Sequence, residues 1–374
     1  MRTTLARSTV ATLAAAAIVA FAGACSPPEK KSEAATSKAG TATSAADLGG
    51  LDALIAEAKK EGQLNVIALP PDWANYGEII KAFGAKYGIK VNSAQPDGSS
   101  QDEINAATQL KGQDTAPDVF DLGVSVATAN TALFAPYKVE KFAEIPDTLK
   151  DANGTWVNDY GGYMSIGYDS AKVPAPTSVA DLLKADYKGK VALNGDPTQA
   201  GAAFGGVQMA SLANGGTVDD ITKGVEFFGN LKKAGNFLPV DPTSATIESG
   251  QTPVVFDWDY LNAAQSKKLA TWKVFVPSGA VLGSYYVQAV NKDAPHPAAA
   301  RLWQEFLYSD EGQNLWLKGG ARPVRADAMQ KAGTIDATAF AALPAVEGTA
   351  VIPTEAQSAK AKEYLTANWA KAIG

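Results

Sequence analysis

One cysteine and one histidine occur in 374 residues. Zinc centres need clusters of those side chains, so none is supported, and a Ser–His–Asp or Cys–His site would have to use the one histidine. No G-x-x-x-x-G-K-[ST] loop is present to cradle a nucleotide, and no G-x-S-x-G elbow to present a serine. Lys and Arg number 33 against 39 Asp and Glu, a net charge of −6. With no basic stripe, nothing favours nucleic acid as a partner. His296, in "DAPHPAAA", stands between prolines before a helical stretch and reads as an exposed loop histidine.

The longest apolar run, "ATLAAAAIVAFAGA" (11–24), is short for a membrane-spanning helix. Arg2 and Arg7 precede it, which makes residues 1–24 a secretory signal. The run ends at the lone Cys25, and "AGAC" resembles a bacterial lipobox. Cleavage there would leave Cys25 as a lipid-bearing first residue, the alternative being a signal cut with Cys25 incidental. Each buried CH₂ of an acyl chain contributes about 0.8 kcal/mol, so two or three chains anchor stably. Residues 25–50 are small and polar and read as a flexible tether.

From residue 51 the chain alternates helices with short apolar strands. "LDALIAEAKKEG" is an amphipathic helix closed by Gly62, followed by the strand "QLNVIAL" and the helix "YGEIIKAFGAKYG". "IKVNSA", "SQDEINAATQLKG" and "PDVFDLG" continue the series, and the middle of the chain repeats it, with "TSVADLLKADYKG" as a helix and another opening at Asp196-Pro197-Thr198. This is the pattern of an α/β protein whose mixed sheets are flanked by helices. Ligands of such sheets sit in loops beyond the carboxyl ends of strands. The loops "LPPDWANY", "QPDGSSQDE" and "LGVSVATAN" are of that kind, and "VVFDWDY" (254–260) repeats the first. Asp257 and Asp259 are a candidate acid pair, but alternate strand positions face opposite sides, which argues against a shared proton. An exported protein with aromatic-lined loops and no reactive groups has the character of a binder.

The order of "AKKEGQLNVIA", "PDVFDLG", "TSVADLLKADYKGKVAL", "LYSDEGQNLW" and "GARPVR" resembles the extracellular solute-binding proteins of ABC importers. The nearest branch holds polyamine, iron(III), thiamine and phosphonate binders. The resemblance covers residues 51–345. It implies a two-lobed, periplasmic-binding-protein-like (type II) fold with two crossing hinge strands, near 161–169 and 283–290. Lobe 1 would comprise 51–163 and 289–374, and lobe 2 164–288. It further implies a monomer that takes a small-molecule solute and delivers it to the transmembrane subunits of an ABC permease, with no catalytic activity and no cofactor or metal of its own.

Carried over residue by residue, the resemblance to polyamine binders places Trp73, Tyr76, Trp258 and Ser125 at the ligand. Those proteins also carry a Trp and an Asp on the second crossing strand, where this chain has Ser284 and Tyr286. Asp72, Asp196, Asp257 and Asp259 are the acids available to replace the missing carboxylate, with Thr198 beside Asp196. Asp257 and Asp196 are equally suited to cap helices. Arg322, in "GARPVR", is either a structural ion-pair partner or a fork for a carboxylate or phosphonate. The second role implies an amino acid-like or opine-like ligand. Iron binders use an adjacent Tyr pair where this chain has Asp257-Trp258-Asp259-Tyr260, and the Tyr285-Tyr286 pair lies on the later strand. Rival readings are an iron(III) or phosphonate binder of the same fold, an exported acid-pair hydrolase, and a surface scaffold.

Overall fold

A computed structural model describes residues 37–344 and 346–374; Cys25 lies outside them. The first described residues are not a free tether. Helix α1 (Lys38–Thr41) and the turn after it bury Ala39, Ala42, Ala45 and Leu48. Arg301, itself buried, donates to the Gly40 and Ala42 carbonyls at 2.8 Å each. A run of small residues reads as a linker by composition, yet small residues are also what a tight groove accepts.

Lobe 1 begins with α2 (Leu51–Glu61), β1 (Gln63–Ile67), α3 (Tyr76–Tyr87), β2 (Lys90–Ala94), α4 (Ser100–Gln109), β3 (Val119–Leu122), α5 (Val124–Ala129) and β4 (Phe134–Ala135). Gly62 and Gly88 end α2 and α3 in the left-handed conformation that costs glycine least. The 13-residue strand β5 (Val157–Asp169) then crosses to lobe 2, which holds β6 (Val191–Leu193), α6 (Gly201–Ala213), α7 (Thr222–Ala234), α8 (Ser244–Glu248), β7 (Val254–Trp258), α9 (Asp259–Lys268) and β8 (Trp272–Phe275). Strand β9 (Gly283–Asn291) returns to lobe 1 for α10 (Pro297–Leu307), α11 (Asp310–Lys318), β10 (Arg322–Pro323), α12 (Ala326–Ala332) and α13 (Ala337–Ala341). The chain closes with α14 (Glu355–Ile373).

β1 and β2 pair in parallel. The larger sheet runs β3-β9-β5-β7-β6, with β4, β8 and β10 at its sides. β5 belongs to both lobes: residues 157–163 pair with β9 and 164–168 with β7. The crossings therefore form one antiparallel ribbon on which the lobes hang.

Three sequence expectations change here. "TSVADLLKADYKG" forms two short 3₁₀ turns rather than a helix. α14, grouped with lobe 1 by sequence, packs along α7 of lobe 2, where Trp369 sets its ring 5.5 Å from that of Phe228. Its first turns also abut α5 of lobe 1, so it spans both lobes. His296 is buried rather than exposed, with Nδ1 3.0 Å from Asp118 Oδ2 and its own N–H donating to Asp118 Oδ1 at 2.7 Å.

Candidate functional site

Four non-glycine residues among those described take positive φ: Ala68, Ala74, Asn75 and Gln95. Ala68 directly follows β1, Gln95 directly follows β2, and Ala74 and Asn75 flank the turn that carries Trp73. Such backbone costs about 1–3 kcal/mol per residue and persists where surrounding structure holds it, clustering at active sites, ligand clamps and switch regions. Here the Asn75 side chain is tied to the Leu315 carbonyl at 2.9 Å. Both strained loops border an interlobe cleft of about 850 Å³.

Trp73 lines this cleft, half-buried. Its indole N–H donates to the Tyr160 hydroxyl at 2.7 Å, and its ring stands edge-on to Tyr286 at 5.6 Å. Asp121, at the carboxyl end of β3, and Glu103, in the first turn of α4, form the floor on the lobe 1 side. Asp121 Oδ2 accepts from the Tyr160 hydroxyl at 3.0 Å and Oδ1 from Gln288 Nε2 at 3.3 Å. Glu103 Oε2 accepts the Asp121 N–H at 2.9 Å. Burial pushes both carboxyls well above the usual carboxylate range, and in Glu103 the charge of Asp121 adds to the rise. Asp159, fully buried behind them with Oδ2 unpartnered, is raised by burial and then by Asp121.

Across the cleft, Asp257 ends β7, its Oδ1 accepting the Trp258 N–H at 2.8 Å. Burial raises its carboxyl to about 7 against the opposing hydrogen bond from Asn194. Gln265 on α9 keeps Oε1 buried and unpartnered at the same wall. In all, eight acids line the cleft (Asp72, Asp97, Asp102, Glu103, Asp121, Asp196, Asp241, Asp257) against one cation, Lys268. Lys268 reaches across to Asp72 at 3.4 Å, an exposed interlobe ion pair. The lobes also meet where α5 and α6 begin: a Cβ on Gly201 would lie 3.2 Å from the Gly123 Cα.

The residues singled out by sequence fall into three groups. Trp73, Asp72, Asp196, Asp257 and Tyr286 line the cleft. Ser125 and Trp258 instead line a smaller interlobe cavity of about 70 Å³, which Tyr286 also borders. Trp258 is only 3% exposed and donates its indole N–H to the Tyr286 hydroxyl at 3.3 Å. Thus the two tryptophans meet the same tyrosine from different sides rather than facing each other.

Tyr76, Asp259, Arg322 and Thr198 lie outside both linings. Tyr76 is fully buried in the first turn of α3, edge-on to Trp316 at 4.7 Å, and accepts from Gln288 at 3.0 Å. Three residues after Trp73, the start of the helix has already turned its side chain into the core. Asp259, with no exposure, holds Arg322 Nη1 at 2.6 Å and accepts the Tyr163 N–H at 2.9 Å. The Arg322 guanidinium lies over the Tyr163 ring and donates to the Pro344 carbonyl at 2.9 Å. These two charges satisfy each other away from the cleft, so the case for an anionic group on the ligand loses its cation. Thr198 gives its hydroxyl to Asp196 Oδ1 at 2.8 Å. That turn precedes α6, which starts at Gly201 rather than Asp196. Asp257 caps no helix, since its oxygen takes the N–H of its own neighbour.

Sequence reasoning missed Asp121, Glu103 and Gln265. Asp121 sits in "PDVFDLG" at a strand's carboxyl end, so the strand-end rule that selected Asp257 applies equally to it. Glu103 and Gln265 carry no such mark, because a helix acid or amide turned inward looks like one turned to solvent.

No curated protein sequence matches this chain. Several solved structures share its fold. The periplasmic binding protein P5PA superposes with a TM-score of 0.67 at 19% identity, covering 84% of this chain and all of the other. AfuA from Actinobacillus pleuropneumoniae, with fructose-6-phosphate bound, gives 0.65 at 16% identity, covering 83% and 98%. Iron-bound HitA from Pseudomonas aeruginosa gives 0.60 at 21% identity, covering 83% and 99%. The fold is thus that of type II periplasmic binding proteins. The bacterial extracellular solute-binding protein model matches residues 117–343, more than half of the chain, and this protein belongs to that family.

Proposed function

We propose that this protein is the lipid-anchored, substrate-binding component of an ABC importer and that its solute is a small cation bearing amine groups. The observation that carries the reading is the acidity of the cleft: eight lining acids against one lysine. Asp121, Glu103 and Asp257 are withdrawn from water, where an ammonium partner regains for them the stabilisation that burial removed. Trp73 and Tyr286 add aromatic surface, worth about 0.5–2 kcal/mol to a cation over a ring face. The sugar phosphate held by AfuA would meet a wall of like charge here.

The solute enters between open lobes, engages Trp73 and Asp121 on one side and Asp257 on the other, and the ribbon of β5 and β9 bends to close over it. Closure is a hinge motion of the kind periplasmic binding proteins show. The closed surface is what the permease reads, and Cys25 tethers the complex to the membrane.

Isothermal calorimetry against 1,4-diaminobutane, fructose-6-phosphate and ferric citrate tests the reading. The diamine is expected to bind, and Asp121→Asn and Asp257→Asn each to weaken it at least about tenfold, the loss of one charge-assisted hydrogen bond. Binding of the sugar phosphate or ferric citrate with no heat from the diamine would refute it. Native mass spectrometry of the protein as purified would reveal a co-purified solute. Radiolabelled fatty acid should appear on the wild type and not on Cys25→Ser.

A further inference from the structure

Tyr160 touches no solvent, yet its hydroxyl joins two groups that line the cleft. It accepts from Trp73 Nε1 at 2.7 Å and donates to Asp121 Oδ2 at 3.0 Å. Trp73 belongs to the loop after β1, Asp121 to the end of β3, and Tyr160 to the crossing strand β5. The pairing of β5 with β9 shifts register between Asn158 and Gly161, so Tyr160 sits in a bulge of the hinge ribbon. Bulges re-aim side chains next to functional sites. The ring is clamped as well: it stacks on Trp316 at 4.2 Å and lies parallel to Tyr286 at 5.4 Å.

We propose that Tyr160 is a positioning residue of the binding cleft, whose one hydroxyl holds the Trp73 indole and the Asp121 carboxylate in fixed register from the hinge strand. This rests on the cleft being the binding site, but neither of the tests below requires a ligand. The Tyr160 hydroxyl accepts the indole N–H, and Asp121 Oδ2 is oriented by the same oxygen. The hinge strand thereby sets the geometry of an aromatic surface and a charge on lobe 1 together.

The titration of Asp121 reports this contact only in its full surroundings. Facing it are Glu103 on α4, Asp159 on β5, Tyr76 on α3, Tyr286 and Gln288 on β9, Tyr260 on α9, and Tyr308 after α10. Burial favours the protonated Asp121 carboxyl, whereas the donors Tyr76, Tyr160 and Gln288 favour the charged one. Removing one donor moves the midpoint up, by about one pH unit for a charge-assisted hydrogen bond.

The test compares wild type and Tyr160→Phe in the whole chain, which keeps the stacked ring. Nuclear magnetic resonance reads the Trp73 indole N–H, assigned by its loss in Trp73→Phe, and the Asp121 carboxyl carbon, assigned by Asp121→Asn. In Tyr160→Phe the indole proton should shift upfield and exchange with solvent at least about tenfold faster, and the Asp121 midpoint should rise. If either signal is unchanged, the proposal is overturned, whatever happens to thermal stability. Should Tyr160→Phe fail to fold, Asp121→Asn carries the test. Altering the acceptor of the Tyr160 hydroxyl should shift the Trp73 indole proton, and an unmoved proton overturns the proposal. Failure of the diamine to bind would bear on the ligand reading alone.

Discussion

Replacing Arg322 with alanine separates a structural ion pair from a ligand fork. Asp259 has no exposure, and its Oδ2 lies 2.6 Å from Arg322 Nη1, whose side chain is 16% exposed. The variant leaves a buried carboxylate with backbone donors alone, the Tyr163 N–H at 2.9 Å and the Tyr260 N–H. Breaking a buried pair from one side costs about 3–5 kcal/mol. The lower end applies here, about 3 kcal/mol, because the arginine is partly solvated and one oxygen stays bonded. The pH dependence has a definite sign. Burial raises the Asp259 carboxyl above its ordinary value even with Arg322 beside it, and losing the arginine raises it further. The folded state then binds more protons than the unfolded chain, so stability falls as pH rises from the unfolded value through the folded one. The loss in Arg322→Ala should therefore be larger at pH 8 than at pH 5. Urea unfolding at both values measures it, and a double-mutant cycle with Asp259→Asn should return a coupling of about 1–3 kcal/mol. A variant within about 0.5 kcal/mol of wild type, or one hurt more at pH 5, would refute the assignment.

Affinity for a cationic solute should strengthen as pH rises through about 7, because Asp257 is raised to about 7 and Asp121 shifts in the same direction. Binding would release protons near neutrality, visible as a calorimetric heat that changes with the ionisation enthalpy of the buffer; a buffer-independent heat at pH 6.5 counts against it. Gly201→Val places a branched side chain where a single Cβ already lies 3.2 Å from Gly123 Cα. It should hold the lobes apart and increase the radius of gyration in X-ray scattering. Trp369→Ala removes a ring that is 9% exposed and packed on Phe228, at about 3 kcal/mol. Hydrogen exchange should then accelerate along α14 first, and a uniform acceleration across both lobes would contradict the role of Trp369 in holding α14 on α7.

The alternation of helix and strand, the glycines that end α2 and α3, and the two crossing strands were legible because they depend on local periodicity and backbone freedom. Strand-end position likewise placed Trp73 and Asp257 beside the cleft, and the two-residue alternation separated Asp257 from Asp259. Composition misled at residues 37–50, where alanines fill a groove beside Arg301, and at His296, whose burial depends on Asp118 far away in sequence.

Sequence by itself thus determined the fold class, the family and the loops that border the cleft, since all three follow from local patterns and their order. Only the tertiary structure decided which charges face the solute. Arg322 and Asp259 are far apart in sequence and cancel each other in a closed pair, while Asp121 and Glu103 come from different elements and meet without a countercharge. Electrostatic sign in a cleft is a property of what lies across space from each group, and no local pattern encodes it.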